Sequence, residues 1–268
     1  MARGQGNIIA SKLTLTYYIK PRAFVRYISI AVIIAFSAQV ASAQKTIARQ
    51  SLYWTRYYNI LTLHPKWSWH NEIDNRRFWE NNRQHHLIMH SRLHYKWRGN
   101  ADAALGLTYS RQSPQDPHSD KSLVVPEFRP VQEVNIVTPL GERWAFHSRF
   151  RVDERFFRRN DGSQLLAGYD FNIRFRHRIQ LVYNVYKPGA KRPLSLKIAN
   201  ELMVNAGKNI VYNHFDQNRI YIGAEHGLFK NISAEIGYLH WYQQRNAGNQ
   251  FYSRDIVRCT LYHRMKAN

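Results

Sequence analysis

The most constraining feature of the chain is a long alternation of apolar and polar residues between Phe171 and Val185. Successive side chains of a β-strand point to opposite faces, so the segment is predicted to be a strand with one apolar and one basic face. A strand of this length suits a barrel with lipid outside and polar groups inside better than a soluble sandwich. The apolar set is Phe171, Ile173, Phe175, Ile179, Leu181, Tyr183 and Val185, and the polar set is Asn172, Arg174, Arg176, Arg178, Gln180 and Asn184.

Residues 1–43 have the composition of a secretory signal peptide. They contain five basic residues and no acidic residue, and an apolar stretch precedes the small residues Ala41, Ser42 and Ala43. This order is typical of Sec-dependent export, and cleavage is predicted after Ala43. An uncleaved membrane helix is the alternative, but the apolar stretch of roughly fourteen residues is shorter than the ~20 needed to span a bilayer. The chain is therefore divided into a signal peptide, 1–43, and a barrel domain, 44–268.

The charge of the barrel domain is strongly positive, because 34 basic and 18 acidic residues remain among its 225 residues. In a cytosolic protein this balance would indicate nucleic-acid binding. Here the export signal and the placement of the charges at alternate strand positions argue against it, and no nucleic-acid partner is expected. Cys259 is the single cysteine, so an intramolecular disulfide is excluded.

Period-two patterns recur along the whole domain, whereas signals for helices are nearly absent. No stretch after residue 43 is apolar enough for a membrane helix, so a helical bundle is excluded. Many aromatic residues lie near the predicted strand ends, as the interfacial girdles of membrane barrels require. The eleven predicted segments are about 51–62, 66–77, 84–98, 101–112, 127–138, 143–158, 168–186, 193–204, 217–226, 230–243 and 250–264.

The number of strands is predicted from the connections as well as from the segments. Short connections alternate with longer polar ones, as in outer-membrane barrels. Single-chain bacterial barrels have an even number of strands, so eleven segments leave one unaccounted for. We expect either a short further strand within Gln44–Gln50 or one segment merged or split. The prediction is an all-β, antiparallel transmembrane barrel of about twelve strands, with a range of ten to twelve.

Two motifs in the C-terminal half carry a family resemblance. The first is Phe215-Asp216-Gln217-Asn218-Arg219-Ile220-Tyr221-Ile222-Gly223, and the second is Asn231-Ile232-Ser233-Ala234-Glu235-Ile236-Gly237-Tyr238-Leu239. The chain resembles the bacterial outer-membrane barrel family known as domain of unknown function 2490 over most of residues 50–264. The resemblance implies an architecture and a location, but no activity. The chain departs from the usual terminal aromatic residue of such barrels by continuing past Tyr262 to Asn268.

Charged residues on the predicted inner faces are the candidates for function. Arginine stays charged and can grip carboxylate or phosphate with two parallel hydrogen bonds. Such a lumen would favour small anions or hold lipopolysaccharide phosphates at its rim. The alternative is a network of ion pairs that fills and rigidifies the lumen, because buried charges require partners. The set is Arg92, Arg149, Arg151, Arg174, Arg176, Arg178 and Arg219, with Glu72, Glu133, Glu201 and Glu225.

Metal binding and catalysis have weaker support in the sequence. His86, His90 and His94 share one face, but residues four apart on a strand lie about 13 Å apart, too far for one zinc ion without ligands from other strands. No metal or other cofactor is expected. The chain has no G-x-S-x-G, CxxC or phosphate-loop motif, and Ser148 diverges from His147 on its strand. Whether serine and histidine meet across strands stays open.

The sequence therefore predicts a monomeric outer-membrane barrel in the Gram-negative envelope, with outer-membrane lipid and lipopolysaccharide around it. Its predicted role is structural or the passage of small anions. One alternative is an outer-membrane hydrolase that modifies lipid or lipopolysaccharide, and the other is a soluble periplasmic barrel that binds lipid.

Overall fold

The computed structural model describes residues 45–186 and 189–267, and the regular structure in these ranges consists of strands. All eleven predicted segments are strands, with limits shifted by a few residues. The predicted signal peptide, 1–43, lies outside the described residues. The strands are β1 (Thr46–His64), β2 (Trp67–Phe78), β3 (Gln84–Arg98), β4 (Ala101–Gln112), β5 (Val125–Pro139), β6 (Trp144–Asn160), β7 (Leu165–Asn184), β8 (Leu194–Ala206), β9 (Phe215–Phe229), β10 (Ile232–Gln244) and β11 (Gln250–Lys266).

The strands form one closed barrel in chain order, which confirms the predicted all-β barrel. Each strand pairs antiparallel with its neighbour in sequence, and β1 and β11 close the barrel as a parallel pair from Thr46↔Gln250 to Thr62↔Lys266. Among the described residues, no helix is long and apolar enough to cross a membrane.

The predictions of twelve strands and of purely antiparallel pairing are wrong. In a barrel of consecutive up-and-down strands, every odd-numbered strand runs the same way. With eleven strands the first and last must therefore be parallel. Residues 46–50 do not form a separate strand, because they are the first residues of β1.

The connections define two rims at opposite ends of the barrel. The turn rim consists of residues 65–66, 99–100, 140–143, 185–186, 189–193 and 230–231. The loop rim consists of residues 79–83, 113–124, 161–164, 207–214 and 245–249. The predicted alternation of short and long connections fails at two places. Residues 161–164 are a tight connection because β6 and β7 extend further than predicted, whereas β7 ends at Asn184 and β8 begins only at Leu194.

The two faces of the strands have opposite chemistry, as the alternation predicts. On β3, His90, Arg92 and His94 are buried inside the barrel, while Met89 and Leu93 are exposed outside. The same division holds on β7, where Arg174 is buried and Phe175 and Ile179 are exposed. The outer wall is therefore apolar and the lumen is polar along most of the barrel.

One side of the lumen is packed by apolar side chains beneath the closing strands. Its centre is Tyr221, whose ring lies across two glycines. A Cβ at Gly223 would lie 2.1 Å from the Tyr221 hydroxyl oxygen, and one at Gly237 would lie 2.4 Å from it. The missing side chains therefore provide the space for this ring. The apolar cluster comprises Leu52, Trp54, Phe78, Ala199, Tyr221, Leu239, Trp241 and Ile256.

Candidate functional site

The lumen holds a cavity of about 1690 Å³ that extends from rim to rim. Its lining includes Ser195 and Lys230 near the turn rim, and Asn160 and Arg245 near the loop rim. Among the described residues, nineteen arginines and lysines line the cavity against nine aspartates and glutamates. Its electrostatic potential is therefore positive, because the carboxylates neutralise only part of the basic charge.

Two predicted glutamates lie on β2 and β5. Glu72 accepts hydrogen bonds from Arg92 at 3.2 Å and from Arg56 at 3.3 Å, so it joins the neighbouring strands β1, β2 and β3 on their inner face. Glu133 accepts a hydrogen bond from Asn135 at 2.9 Å, and its other oxygen lies 3.8 Å from Arg151 and 3.9 Å from Arg149. The charge of Glu133 is thus shared between two guanidinium groups, and neither donates a hydrogen bond to it.

The densest ionic cluster joins β6, β7 and β8. Glu201 accepts hydrogen bonds from Arg149 at 2.5 Å and from Arg176 at 2.8 and 3.0 Å. Arg176 also donates to Asp153 at 3.2 Å, and Arg151 donates to the same carboxylate at 2.6 Å. All of these groups are largely shielded from solvent. A charge left without its partner here would therefore destabilise the barrel.

Two further predicted residues, Arg174 and Glu225, pair with groups outside the predicted set. Arg174 forms an ion pair with Asp216 at 2.7 Å, which joins β7 to β9. Glu225 forms an ion pair with Lys197 and another with Arg264, whose Nη2 lies 2.8 Å from the Glu225 carboxylate. The pairs Arg174–Asp216 and Glu225–Arg264 each connect strands that are not neighbours, whereas Glu225–Lys197 connects the neighbouring strands β8 and β9.

Arg178 and Arg219 lie in the lumen without a carboxylate within 4.0 Å among the described residues. Arg178 donates a hydrogen bond to Gln180. The guanidinium carbon of Arg219 lies 4.6 Å from the ring centre of Trp241 and 5.4 Å from that of Trp54. The faces of indole rings attract cations, so the aromatic rings partly replace a carboxylate partner at Arg219.

Several lumen charges were missed although the same alternation points to them. Glu127 and Arg129 share the inner face of β5 with Glu133, and Asp153 shares that of β6 with Arg149 and Arg151. Each of them lies an even number of residues from a predicted lumen residue of the same strand, and this spacing places them on the same face. The residues missed are Arg56, Asp74, Arg76, Glu127, Arg129, Asp153, Arg155, Lys197, Asp216, Glu235, Arg254, Arg258 and Arg264.

The longest connection of the loop rim, residues 113–124, reaches into the mouth of the lumen. The Gln115 side-chain amide contacts His85 and His86 at 3.0 Å and accepts a hydrogen bond from Arg254 at 3.0 Å. Gln50 donates to the Gln115 carbonyl oxygen at 2.8 Å. These contacts hold the connection against the packed side of the lumen.

The arrangement of histidines and serines bears on the catalytic alternative. In the described part of the chain, no three side chains of His, Cys, Asp and Glu are grouped so that they could hold a metal ion. Ser148 and His177 meet across β6 and β7 at 3.2 Å, but both lie on the outer wall. No carboxylate is hydrogen-bonded to His177 within the described ranges, so this pair lacks the acid that orients a catalytic histidine.

These features define a closed β-barrel protein with a basic, cavity-bearing lumen. A family model described as "Protein of unknown function (DUF2490)" matches residues 52–252, from β1 into β11. The chain belongs to this family, which confirms the resemblance found in the sequence. No curated protein matches the chain.

Proposed function

We propose that the protein is an outer-membrane β-barrel that allows small anions to pass through its lumen. The observation that carries this proposal is the cavity that reaches both rims and is lined by nineteen basic and nine acidic residues among those described. A basic lumen attracts anions and repels cations, because the potential in a narrow, low-dielectric passage is only weakly screened.

The outer wall supports the membrane placement. Large apolar side chains are exposed around the barrel, for example Leu105, Ile222 and Ile236, at 58–67% of their full accessibility. Soluble monomers rarely expose a continuous apolar surface of this kind. Aromatic pairs lie near both ends: Trp67–Tyr95 and Trp144–Tyr183 towards the turn rim, and Tyr53–Trp79 and Phe156–Phe171 towards the loop rim. A belt of aromatic residues at each end is typical of the interfacial girdles of membrane barrels.

Extraction of bacterial membranes with alkaline carbonate tests the placement. The protein is expected to stay in the membrane pellet, because its apolar wall would be exposed to water if it were released. It is also expected to migrate faster on an SDS gel before heating than after heating, since closed barrels resist unfolding by SDS at room temperature. Release into the carbonate supernatant without heat-dependent migration would instead support the soluble periplasmic lipid-binding barrel.

Ion selectivity tests the passage itself. Purified protein in a planar lipid bilayer under a KCl gradient is expected to give a reversal potential that shows preference for chloride over potassium. Arg178→Glu is expected to lower this preference at least twofold, because it reverses a charge that has no carboxylate partner among the described residues. Arg111→Glu is the matched control, since Arg111 is exposed on β4 outside the lumen.

Two results would count against anion passage. The absence of conductance by a protein that remains in the membrane pellet would leave only the structural role. A preference for potassium would show that the basic lining does not control permeation.

A further inference from the structure

Two guanidinium groups lie beside the Glu133 carboxylate in the lumen, and a third lines the same cavity. Arg149 and Arg151 lie 3.9 and 3.8 Å from its oxygen Oε2. Arg92 belongs to β3, two strands away, and lines the same cavity. Arg92, Arg149, Arg151 and Glu133 all line the cavity, and we refer to them as the Glu133 cluster.

Each arginine of the cluster is held on one side by another carboxylate. Arg92 donates through Nη2 to Glu72, Arg149 through Nη2 to Glu201, and Arg151 through Nε to Asp153. These bonds fix the positions of the guanidinium groups without using all of their donors. The aliphatic part of the Arg92 side chain packs against Gly106, where a Cβ would lie only 2.5 Å from the Arg92 Cγ. This close contact restricts Arg92 further.

The remaining donors of the cluster have no partner. Nε and Nη1 of Arg92, Nε of Arg149 and Nη2 of Arg151 are buried without a hydrogen bond, and so is Oε2 of Glu133. Arg92 and Arg151 are each only 4% exposed. Buried donors without acceptors are rare in folded proteins, and a charged donor is especially costly to leave unpaired. The cluster therefore carries several fixed, unsatisfied N–H groups on two strands, β3 and β6, that line the same cavity.

The charge around the cluster also favours an added anion. Arg178 lies directly opposite Arg149 in the β6–β7 register, and no carboxylate is within 4.0 Å of it in the described part of the chain. Space is available beside the cluster, since the Arg149 side chain is 21% exposed and both Arg149 and Arg178 line the cavity. A tetrahedral oxyanion offers more acceptor oxygens to these unpaired donors than a planar carboxylate does, and arginine recognises phosphate well.

We propose that the Glu133 cluster is a binding site for a small phosphate-class oxyanion inside the lumen. This inference rests on the proposed passage of anions, which brings the ligand to the site. The ligand is a free phosphate or a small phosphate monoester rather than a lipid headgroup, because the cluster lies within the lumen, separated from lipid by the strands.

Titration of inorganic phosphate into the purified full-length barrel in detergent, at constant ionic strength, tests the site. Calorimetry is expected to show saturable binding. Arg149→Gln is expected to weaken it at least tenfold, and so is Arg151→Gln. Arg149 is the more exposed of the two, so its variant serves if Arg151→Gln fails to fold, and heat-dependent gel migration monitors folding. Arg174→Gln is the matched control and is expected to stay within twofold of the parent, because Arg174 pairs with Asp216 elsewhere in the lumen.

The outcomes separate this site from the passage function. Chloride-selective conductance without saturable phosphate binding would overturn the site and leave the passage standing. Phosphate binding without conductance would support the site and overturn the passage. If Arg149→Gln and Arg174→Gln weakened phosphate binding equally, the site would be overturned. Binding would then depend on the overall positive charge of the lumen and not on the Glu133 cluster. Binding of a short-chain lipid phosphate but not of inorganic phosphate would also overturn it.

Discussion

Replacing Glu201 by Ala is expected to lower the free energy of unfolding of the barrel by about 3–5 kcal/mol. The Glu201 carboxylate accepts hydrogen bonds from both Arg149 and Arg176. Its side chain is only 9% exposed, and that of Arg176 only 10%. Removal of the carboxylate leaves two cations short of a partner in a confined space, and an unpaired buried charge costs more than the pair contributes.

Urea unfolding of the protein in lipid vesicles, followed by tryptophan fluorescence, measures this effect. Glu142→Ala is the matched control, because Glu142 is exposed in the connection between β5 and β6 and its removal is expected to change stability by less than about 0.5 kcal/mol. An equally small effect at both positions would show that the lumen ion pairs are well solvated and contribute little.

A double-mutant cycle separates pairing from simple loss of a side chain. The combination of Glu201→Gln with Arg149→Gln removes both charges of one pair. It is expected to destabilise the barrel less than the sum of the single changes, because the second change removes a cation that the first has left without its carboxylate. Additive effects would show that Glu201 and Arg149 are not coupled.

The alternation of residue types predicted the eleven strands and the faces of most of them. It is informative because a strand between an apolar outer wall and a polar lumen must change chemistry at every residue. On β7 two residues depart from the pattern, since the polar His177 lies on the outer wall and the apolar Val182 is buried inside. Local patterning therefore identifies a strand even where single residues contradict it.

The closure of the barrel was not predictable in the same way. The rule of even strand number led to an extra strand before Ser51, whereas residues 46–50 extend β1 along β11. Nothing in the local sequence of β1 shows whether its partner runs parallel or antiparallel, because the side chains alternate in both cases. The pairing of the first and last strands depends on the total count, which is a property of the whole chain.

The partners of the lumen charges were predictable only as a class. Parity on the strands placed arginines and glutamates inside, but it could not show that Arg174 meets Asp216 or that Arg219 lies between Trp54 and Trp241. Which groups meet across the lumen depends on the stagger of the strands around the barrel. That stagger is set by the register of all eleven strand pairs together.

A disulfide between β1 and β11 would test the parallel closure directly. Cys259 is the single cysteine of the chain, is exposed on the outer face of β11 and pairs with Thr55 of β1. Thr55 is also exposed on the outer face. Paired residues on neighbouring strands lie about 4.8 Å apart, within the range of Cα separations that a disulfide spans. Thr55→Cys is therefore expected to form a disulfide with Cys259 under mild oxidation.

The effect of this disulfide on stability is expected to be large, because it links the first strand to the last. In the chain-entropy model, a crosslink that encloses about 205 residues stabilises the folded state by on the order of 5 kcal/mol. The oxidised variant is expected to unfold at higher urea concentration than its reduced form. After heating in SDS without reductant, it is also expected to migrate faster than the reduced chain, since its unfolded state stays looped.

Two control variants define the register. Arg56→Cys moves the new thiol by one residue into the lumen, and Tyr57→Cys moves it by two residues along the same outer face. Neither is expected to crosslink to Cys259 efficiently, because the first points to the opposite face and the second is displaced by about 6.6 Å along the strand. Crosslinking through Tyr57→Cys but not through Thr55→Cys would show that the pairing of β1 with β11 is displaced by two residues from the Thr55↔Cys259 register. The absence of crosslinking in all three variants would contradict the parallel closure, and with it the eleven-stranded barrel.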